Sequence, residues 1–242
     1  MGFKSEAVSS QGTELAVQGA AGTPKTATIT AISNDSPAEF TAINTFVAGD
    51  IVTIEGVVGM TEVNGMTGVC DDTGDGTHFH LVGIDSTNYT PYVSGGTGTS
   101  SGATFESVCE ARNFTGFDGQ ASEIDVTTMC SEAMEYVPGL QDFGAFNFTM
   151  NYVPSDPAQK AMQDAKASGK ILWWKLTLPD DSEGAPMGTW LFQAFVRQMT
   201  LTGGVNAALE SNVVLRITGA PTFVEGAVMA DEAGADALRK AA

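Results

Sequence analysis

The sequence predicts a mainly-β protein: a sandwich or barrel of antiparallel strands with one flanking α-helix and a small inserted β domain. Three observations carry that prediction. The 242 residues include 28 glycines, a composition that favours tight turns. Short β-branched runs recur between Gly-Asp, Asn-Gly and Asp-Gly dipeptides, the last a hairpin signal. One stretch, 156–169, combines helical spacing with a start and a stop signal.

Taken in order, residues 1–23 are polar apart from an extended piece, Thr13-Glu14-Leu15-Ala16-Val17, and 19–24 reads as a linker. From Lys25 come strand-like runs at 27–32, 50–54, 67–70 and 77–82. The stretch Ser94-Gly95-Gly96-Thr97-Gly98-Thr99-Ser100-Ser101-Gly102 reads as a second, flexible linker. Two linkers around a compact β unit predict a domain inserted into another, because insertions succeed where both ends meet at a surface.

Beyond it, strands are expected at 105–115, 122–128, 145–152, 171–178, 190–199 and 211–218. Phe146, Phe148 and Met150 should face one way and Asn147, Thr149 and Asn151 the other. For the helix, Asp156 is the expected N-cap and Pro157 the first helical residue. Ala158, Ala161, Met162 and Ala165 recur on one face, and Gly169 supplies the stop. The reading is a core domain at 1–23 and 104–224, an insert at 24–103 and a tail at 225–242. The alanine- and charge-rich tail is either a loose helix or unstructured.

Lys and Arg number 11 against 29 Asp and Glu, a net charge of −18. Such a chain repels nucleic acid rather than gripping it, since gripping needs a basic surface. The acids serve solubility, or they line a path along which another polyanion slides without sticking. In the segment 24–103, Lys25 stands against nine acids, net −8, so nearly half the excess lies in the insert.

Cys70, Cys109 and Cys130 are far apart and odd in number, and no CxxC occurs. Three reduced thiols in a protein folding in a cytoplasm are expected. The first residues lack the apolar core of a secretory leader, and no apolar run is long enough to span a bilayer.

His78 and His80 are two apart in a predicted strand, hence on one face, with Asp71, Asp72 and Asp75 upstream. The acidic run loosely mimics a calcium loop, but Val82 stands where the bidentate Glu belongs. A hairpin turn explains the same residues, and no metal or cofactor is expected. Both histidines fall in the insert, so a catalytic triad would have to span two domains. No phosphate-cradling G-x-x-x-x-G-K is present. The chain is read as structural, not as an enzyme.

The stretch 128–144 is long for a hairpin loop and too apolar for water, with Met129, Met134, Tyr136, Val137, Leu140 and Phe143. It packs back onto its own domain or docks on a neighbouring subunit, where Tyr, Met and Phe are favoured anchors.

The run Ser122-Glu123-Ile124-Asp125-Val126-Thr127-Thr128, the turn Tyr136-Val137-Pro138-Gly139-Leu140, and Asp142-Phe143-Gly144 with the strand to Tyr152 resemble the major tail (tail tube) proteins of long, non-contractile-tailed phages. The helix, the Trp173-Trp174 strand and the closing Val213-Val214-Leu215-Arg216-Ile217-Thr218-Gly219-Ala220-Pro221 segment follow in that family's order. Within the insert, Gly49-Asp50-Ile51-Val52, Gly56-Val57-Val58-Gly59 and Asp85-Ser86-Thr87-Asn88-Tyr89 resemble a small phage β module. That module is often labelled for its likeness to a half-domain of ubiquitin-activating enzymes, and none of that chemistry carries over.

The resemblance implies a virion protein, assembled in the bacterial cytoplasm, whose copies form six-membered rings stacked into a hollow tube for DNA ejection. Self-association would then be the main interaction, with a tape-measure protein inside the tube and tail-end proteins at its tip. Double-stranded DNA would pass through without specific binding. Met134, Tyr136, Pro138, Leu140, Asp142 and Phe143 are the expected subunit contacts. Glu106, Glu110, Glu123 and Asp125 are the expected lumen-facing acids. Held by two linkers, the insert should project outward, with decoration, added tube stability or weak binding to a host surface as the roles open to it, and no membrane insertion is expected. A carbohydrate- or surface-binding β-sandwich is the alternative.

Overall fold

Leu15, Ala16 and Val17 are buried in the first strand, β1 (Glu14–Gln18), of the computed structural model, which describes residues 10–72, 76–180 and 187–224. Seven short strands follow: β2 (Lys25–Thr28), β3 (Ala31–Ile32), β4 (Glu39–Thr41), β5 (Ile51–Val58), β6 (Thr67–Asp72), β7 (His78–Leu81) and β8 (Ser94–Ser100). The chain then returns in β9 (Phe105–Ser107), antiparallel to β1 with Gln18 opposite Phe105.

Strands β2 to β8 form one sheet in the order β2-β8-β5-β6-β7-β4-β3. Phe40 and Phe79 stack at 5.1 Å in its core, and Phe46 meets Phe79 edge-on. Ile54, Met60 and Leu81 are fully buried around them. Each such side chain is worth about 1.5–3 kcal/mol, which gives this small sheet a core of its own. Buried Asp50 holds Lys25 at 2.5 Å and also accepts the Val47 N–H at 3.0 Å.

The reading of 94–102 as a flexible linker is overturned, because Ser94–Ser100 is a strand between β2 and β5. Its glycines let large neighbours close over it. A Cβ on Gly96 would lie 2.6 Å from Val57 Cγ2, and one on Gly98 would lie 3.3 Å from Val52 Cγ1. The expected run at 27–32 is likewise two strands, since β2 pairs with β8 and β3 with β4.

The segments that lead out of β1 and back into β9 run side by side. The Gly19 N–H donates to the Thr104 carbonyl at 2.8 Å, and Lys25 lies opposite Ser100. At the neck, a Cβ on Gly22 would sit 2.2 Å from the Gly102 oxygen. Only residues without side chains permit that approach.

From Val108 the second half begins, and the expected strand at 105–115 is broken by a turn there, with the Ala111 N–H bonded to the Val108 carbonyl. Its elements are β10 (Ala111–Gly116), β11 (Gln120–Asp125), β12 (Tyr136–Asp142), β13 (Ala145–Asn151), α1 (Pro157–Ser168), β14 (Ile171–Thr177), β15 (Thr189–Thr202) and β16 (Glu210–Val224). One sheet runs β10-β13-β16-β15-β14-β1-β9, and β11 and β12 form a separate two-stranded sheet.

Strict alternation makes β13: Phe146, Phe148 and Met150 are buried and Asn147, Thr149 and Asn151 are half-buried. Phe148 meets Trp174 at 6.0 Å and Phe146 meets Phe192 at 5.4 Å, so β13, β14 and β15 share an aromatic core. The helix is capped as its sequence predicts. Asp156 accepts the Gln159 N–H at 2.9 Å, Pro157 begins the first turn, and Gly169 takes the left-handed conformation at φ 68°.

By contacts the chain divides into two compact units, Met1–Ser107 with Lys175–Trp190 and Thr222–Ala242, and Val108–Trp174 with Leu191–Pro221. The structure is thus mainly β with one α-helix among the described residues. Residues 1–9 of the polar N-terminal stretch and the tail expected at 225–242 lie outside those residues.

Candidate assembly interface

A two-stranded hairpin on its own cannot bury both faces, and β11 with β12 forms such a hairpin. The expectation of an irregular segment at 128–144 is corrected here, since Tyr136–Asp142 is a strand paired antiparallel to β11. Ile124 lies opposite Val137 and Asp125 opposite Tyr136, with a register shift between Ala121 and Glu123. Gly139 sits at that shift, where a Cβ would fall 2.3 Å from Ser122 Oγ.

Polar bonds hold both ends of the hairpin. At its base, Asp142 accepts the Gly144 N–H at 2.9 Å and pairs with the Arg216 guanidinium. The Gly144 N–H and then Arg216 hold the Asp142 carboxyl below the usual carboxylate range. At its tip, Asp125 accepts the Thr127 N–H at 2.8 Å, and the Glu135 N–H donates to Thr127 Oγ1 at 3.0 Å. Hydrogen bonds from the Thr127 hydroxyl and N–H likewise depress the Asp125 pKa.

The apolar side chains are left in the open. Leu140 is 90% exposed, Met134 71% and Tyr136 51%, while Met129 is fully exposed. Of the two readings of this stretch, burial against its own domain does not describe these residues. The Tyr136 hydroxyl donates to the Met134 sulfur at 3.3 Å. Pro138 is exposed opposite Glu123, and Phe143 is half-buried.

The four expected lumen acids do not form one group. Glu123 and Asp125 are exposed on the hairpin, opposite Pro138 and Tyr136, so acids and expected subunit contacts share that face. Glu110 accepts the Asn151 side-chain amide at 2.8 Å and is half-buried. Glu106 lies on β9 opposite Val17, against Gly19.

His80 Nε2 is 3.8 Å from Glu39 Oε2 across β4 and β7. Among the described residues no group of three His, Cys, Asp or Glu is placed to hold a metal ion, and Asp75 lies outside them. The string Gly98-Thr99-Ser100-Ser101-Gly102 has G-x-S-x-G spacing. However, Ser100 is a buried residue of β8 whose hydroxyl accepts the Gly102 N–H at 3.1 Å, not the tip of a strand–helix elbow.

Sequence reasoning missed one feature of this half. A groove of about 390 Å³ is lined by Tyr152, Gln163, Lys166, Met199, Leu201 and Ser211, between α1 and β15. No short motif marks it, because its walls come from four separate elements or their flanks.

Residues 92–226 match the family described as phage tail tube, TTP, lambda-like. "Structural protein 3" of Pseudomonas phage PAJU2 is 24% identical over 46% of this chain and 78% of its own length. Among solved structures, the tail of an empty gene transfer agent particle (C6 symmetry) aligns with 50% of this chain and 87% of its own at 17% identity, TM-score 0.42. The SPP1 tail tube aligns with 50% of this chain and 67% of its own at 18% identity, TM-score 0.41.

Proposed function

Since the chain belongs to the lambda-like phage tail tube family, we propose that its copies close into hexameric rings and stack into a tube that conducts genomic DNA. It is a structural subunit of the phage tail and a component of the virion. Its work is assembly rather than catalysis. Among the described residues, no helix is long and apolar enough to cross a membrane.

One observation supports the assembly reading above the others. The β11–β12 hairpin presents Met129, Met134, Tyr136 and Leu140 to solvent on a backbone held at both ends by hydrogen bonds. An apolar surface ordered in advance loses little entropy when a partner covers it. Met134, Tyr136, Pro138, Leu140 and Phe143 are the contacts with neighbouring copies, and Asp142 acts through Arg216 to set the hairpin's direction.

The net charge of −18 supports an acidic lumen, in which phosphates find no counter-charge to hold them. Glu123 and Asp125 are its strongest candidates, being exposed, whereas Glu106 and Glu110 are half-buried. Segment 24–103 is read as an inserted module lying outside the lumen, where a weak contact with a host surface is open to it. A tape-measure protein inside the tube and tail-end proteins complete the partner set.

Sedimentation of the purified chain tests the hairpin's part. Leu140→Ala should lower the pelleted fraction while its thermal melt matches the parent's. A variant that pellets normally but melts early would make Leu140 a residue of the subunit's own fold.

A further inference from the structure

Subunits of net charge −18 repel one another, and at a seam between copies the few cations they hold are the groups that offset this repulsion. Lys25 is paired with Asp50, Arg112 with Glu210 and Arg216 with Asp142, while Lys175 is buried over the Phe105 ring at 5.5 Å. Among the described residues this leaves Lys160, Lys166, Lys170 and Arg197, all exposed and without an ion-pair partner. Three lie on α1 or just beyond it, and Arg197 is on β15. Asp156 and Asp164 are the acids of the same helix segment.

Of these cations Lys166 lines the α1–β15 groove, and Arg197 lies on β15 two residues before Met199 of its wall. Lys166 also donates to the Met199 carbonyl at 3.2 Å, while Met199 and Leu201 make the groove apolar. Ser211 also lines the groove, and its buried hydroxyl has no hydrogen-bond partner. A buried hydroxyl without a partner costs roughly a hydrogen bond's worth of stability, and an occupant with a polar atom would remove that cost.

The hairpin tip has the opposite character. From 113 to 159 the chain has no Lys or Arg. Its tip presents Glu132 and Glu135 beside the exposed Met129 and Met134. Since Met129 is fully exposed, the tip does not occupy the groove of its own subunit.

We propose that the α1–β15 groove receives the hairpin tip of a neighbouring copy. Met129 and Met134 cover Met199 and Leu201, and Glu132 and Glu135 meet Lys166 and Arg197. A polar group of the tip reaches the Ser211 hydroxyl. This seat rests on the assembly reading and adds the surface that the hairpin engages.

Two measurements on the full chain test it. The first uses Cys130, an exposed thiol at the tip. In a Cys109→Ser background, adding Leu201→Cys should give disulfide-linked multimers on mild oxidation, and further adding Cys130→Ser should abolish them. The second is charge reversal. Lys166→Glu with Arg197→Glu, or Glu132→Lys with Glu135→Lys, should each lower the pelleted fraction at least about tenfold, and combining all four should restore it. Tubes that form without the cross-link and ignore charge reversal overturn the groove as the seat, while leaving the assembly reading intact. A parent chain that neither assembles nor cross-links overturns both.

Discussion

Leu140 shows how little a side chain can do for its own subunit. It is 90% exposed, so its removal should leave the monomer's melt unchanged. If Leu140 and Tyr136 are subunit contacts as proposed, each is worth about 2 kcal/mol or more once desolvated, and replacing either by Ala should raise the critical concentration roughly 30-fold. Asp142 has a different role, because its bonds lie within the chain. Its carboxyl is held below the usual range, so the stability it lends is full above the ordinary carboxylate pKa. That stability is lost as pH falls through the depressed folded value. Once corrected for the intrinsic slowing of exchange in acid, the protection of the Gly144 amide should therefore fall as pH drops, and Asp142→Asn should remove that pH dependence. Residues of this kind were partly legible. Asp156, Pro157 and Gly169 announce their roles by local spacing, and all three hold them. Ser211 could not be read from the sequence, because its isolation depends on chain segments far from it.

Among the elements, β13 and β8 mark the two limits of legibility. Alternation of Phe and Asn with no glycine leaves β13 one possible face inward. In β8, Gly95, Gly96 and Gly98 erase that signal, although small residues are what a strand beneath Val52, Val57 and Phe46 requires. The hairpin was hidden for another reason. Its second strand runs Tyr136-Val137-Pro138-Gly139-Leu140 before reaching the polar Gln141 and carries a bulge, so period-two counting finds no strand in it. Gly139→Val tests the bulge directly. The added side chain collides with Ser122, so amide protection across β11 and β12 should fall while that of β13 is retained. Equal protection in both would mean that the bulge accommodates a side chain. At the helix, Asp156→Ala should cost about 1 kcal/mol in chemical denaturation, because the Gln159 N–H loses its acceptor.

At the scale of the whole molecule, charge and segment order were legible before any coordinates, because both are linear properties of the chain. The closeness of the two segments beside β1 and β9 was not, since it depends on long-range pairing. The Gly19–Thr104 bond means that excising 24–103 and rejoining the chain leaves a short connection. Such a deletion should still assemble, into tubes with a thinner outer wall, and loss of all assembly would show that the module holds the tube together. The central claim is that this chain is built to associate with itself. Negative-stain electron microscopy of the purified full-length chain, viewed along and across its particles, tests that most directly. The account predicts hollow tubes whose end views have six-fold symmetry, and particles that remain single subunits at every concentration would contradict it.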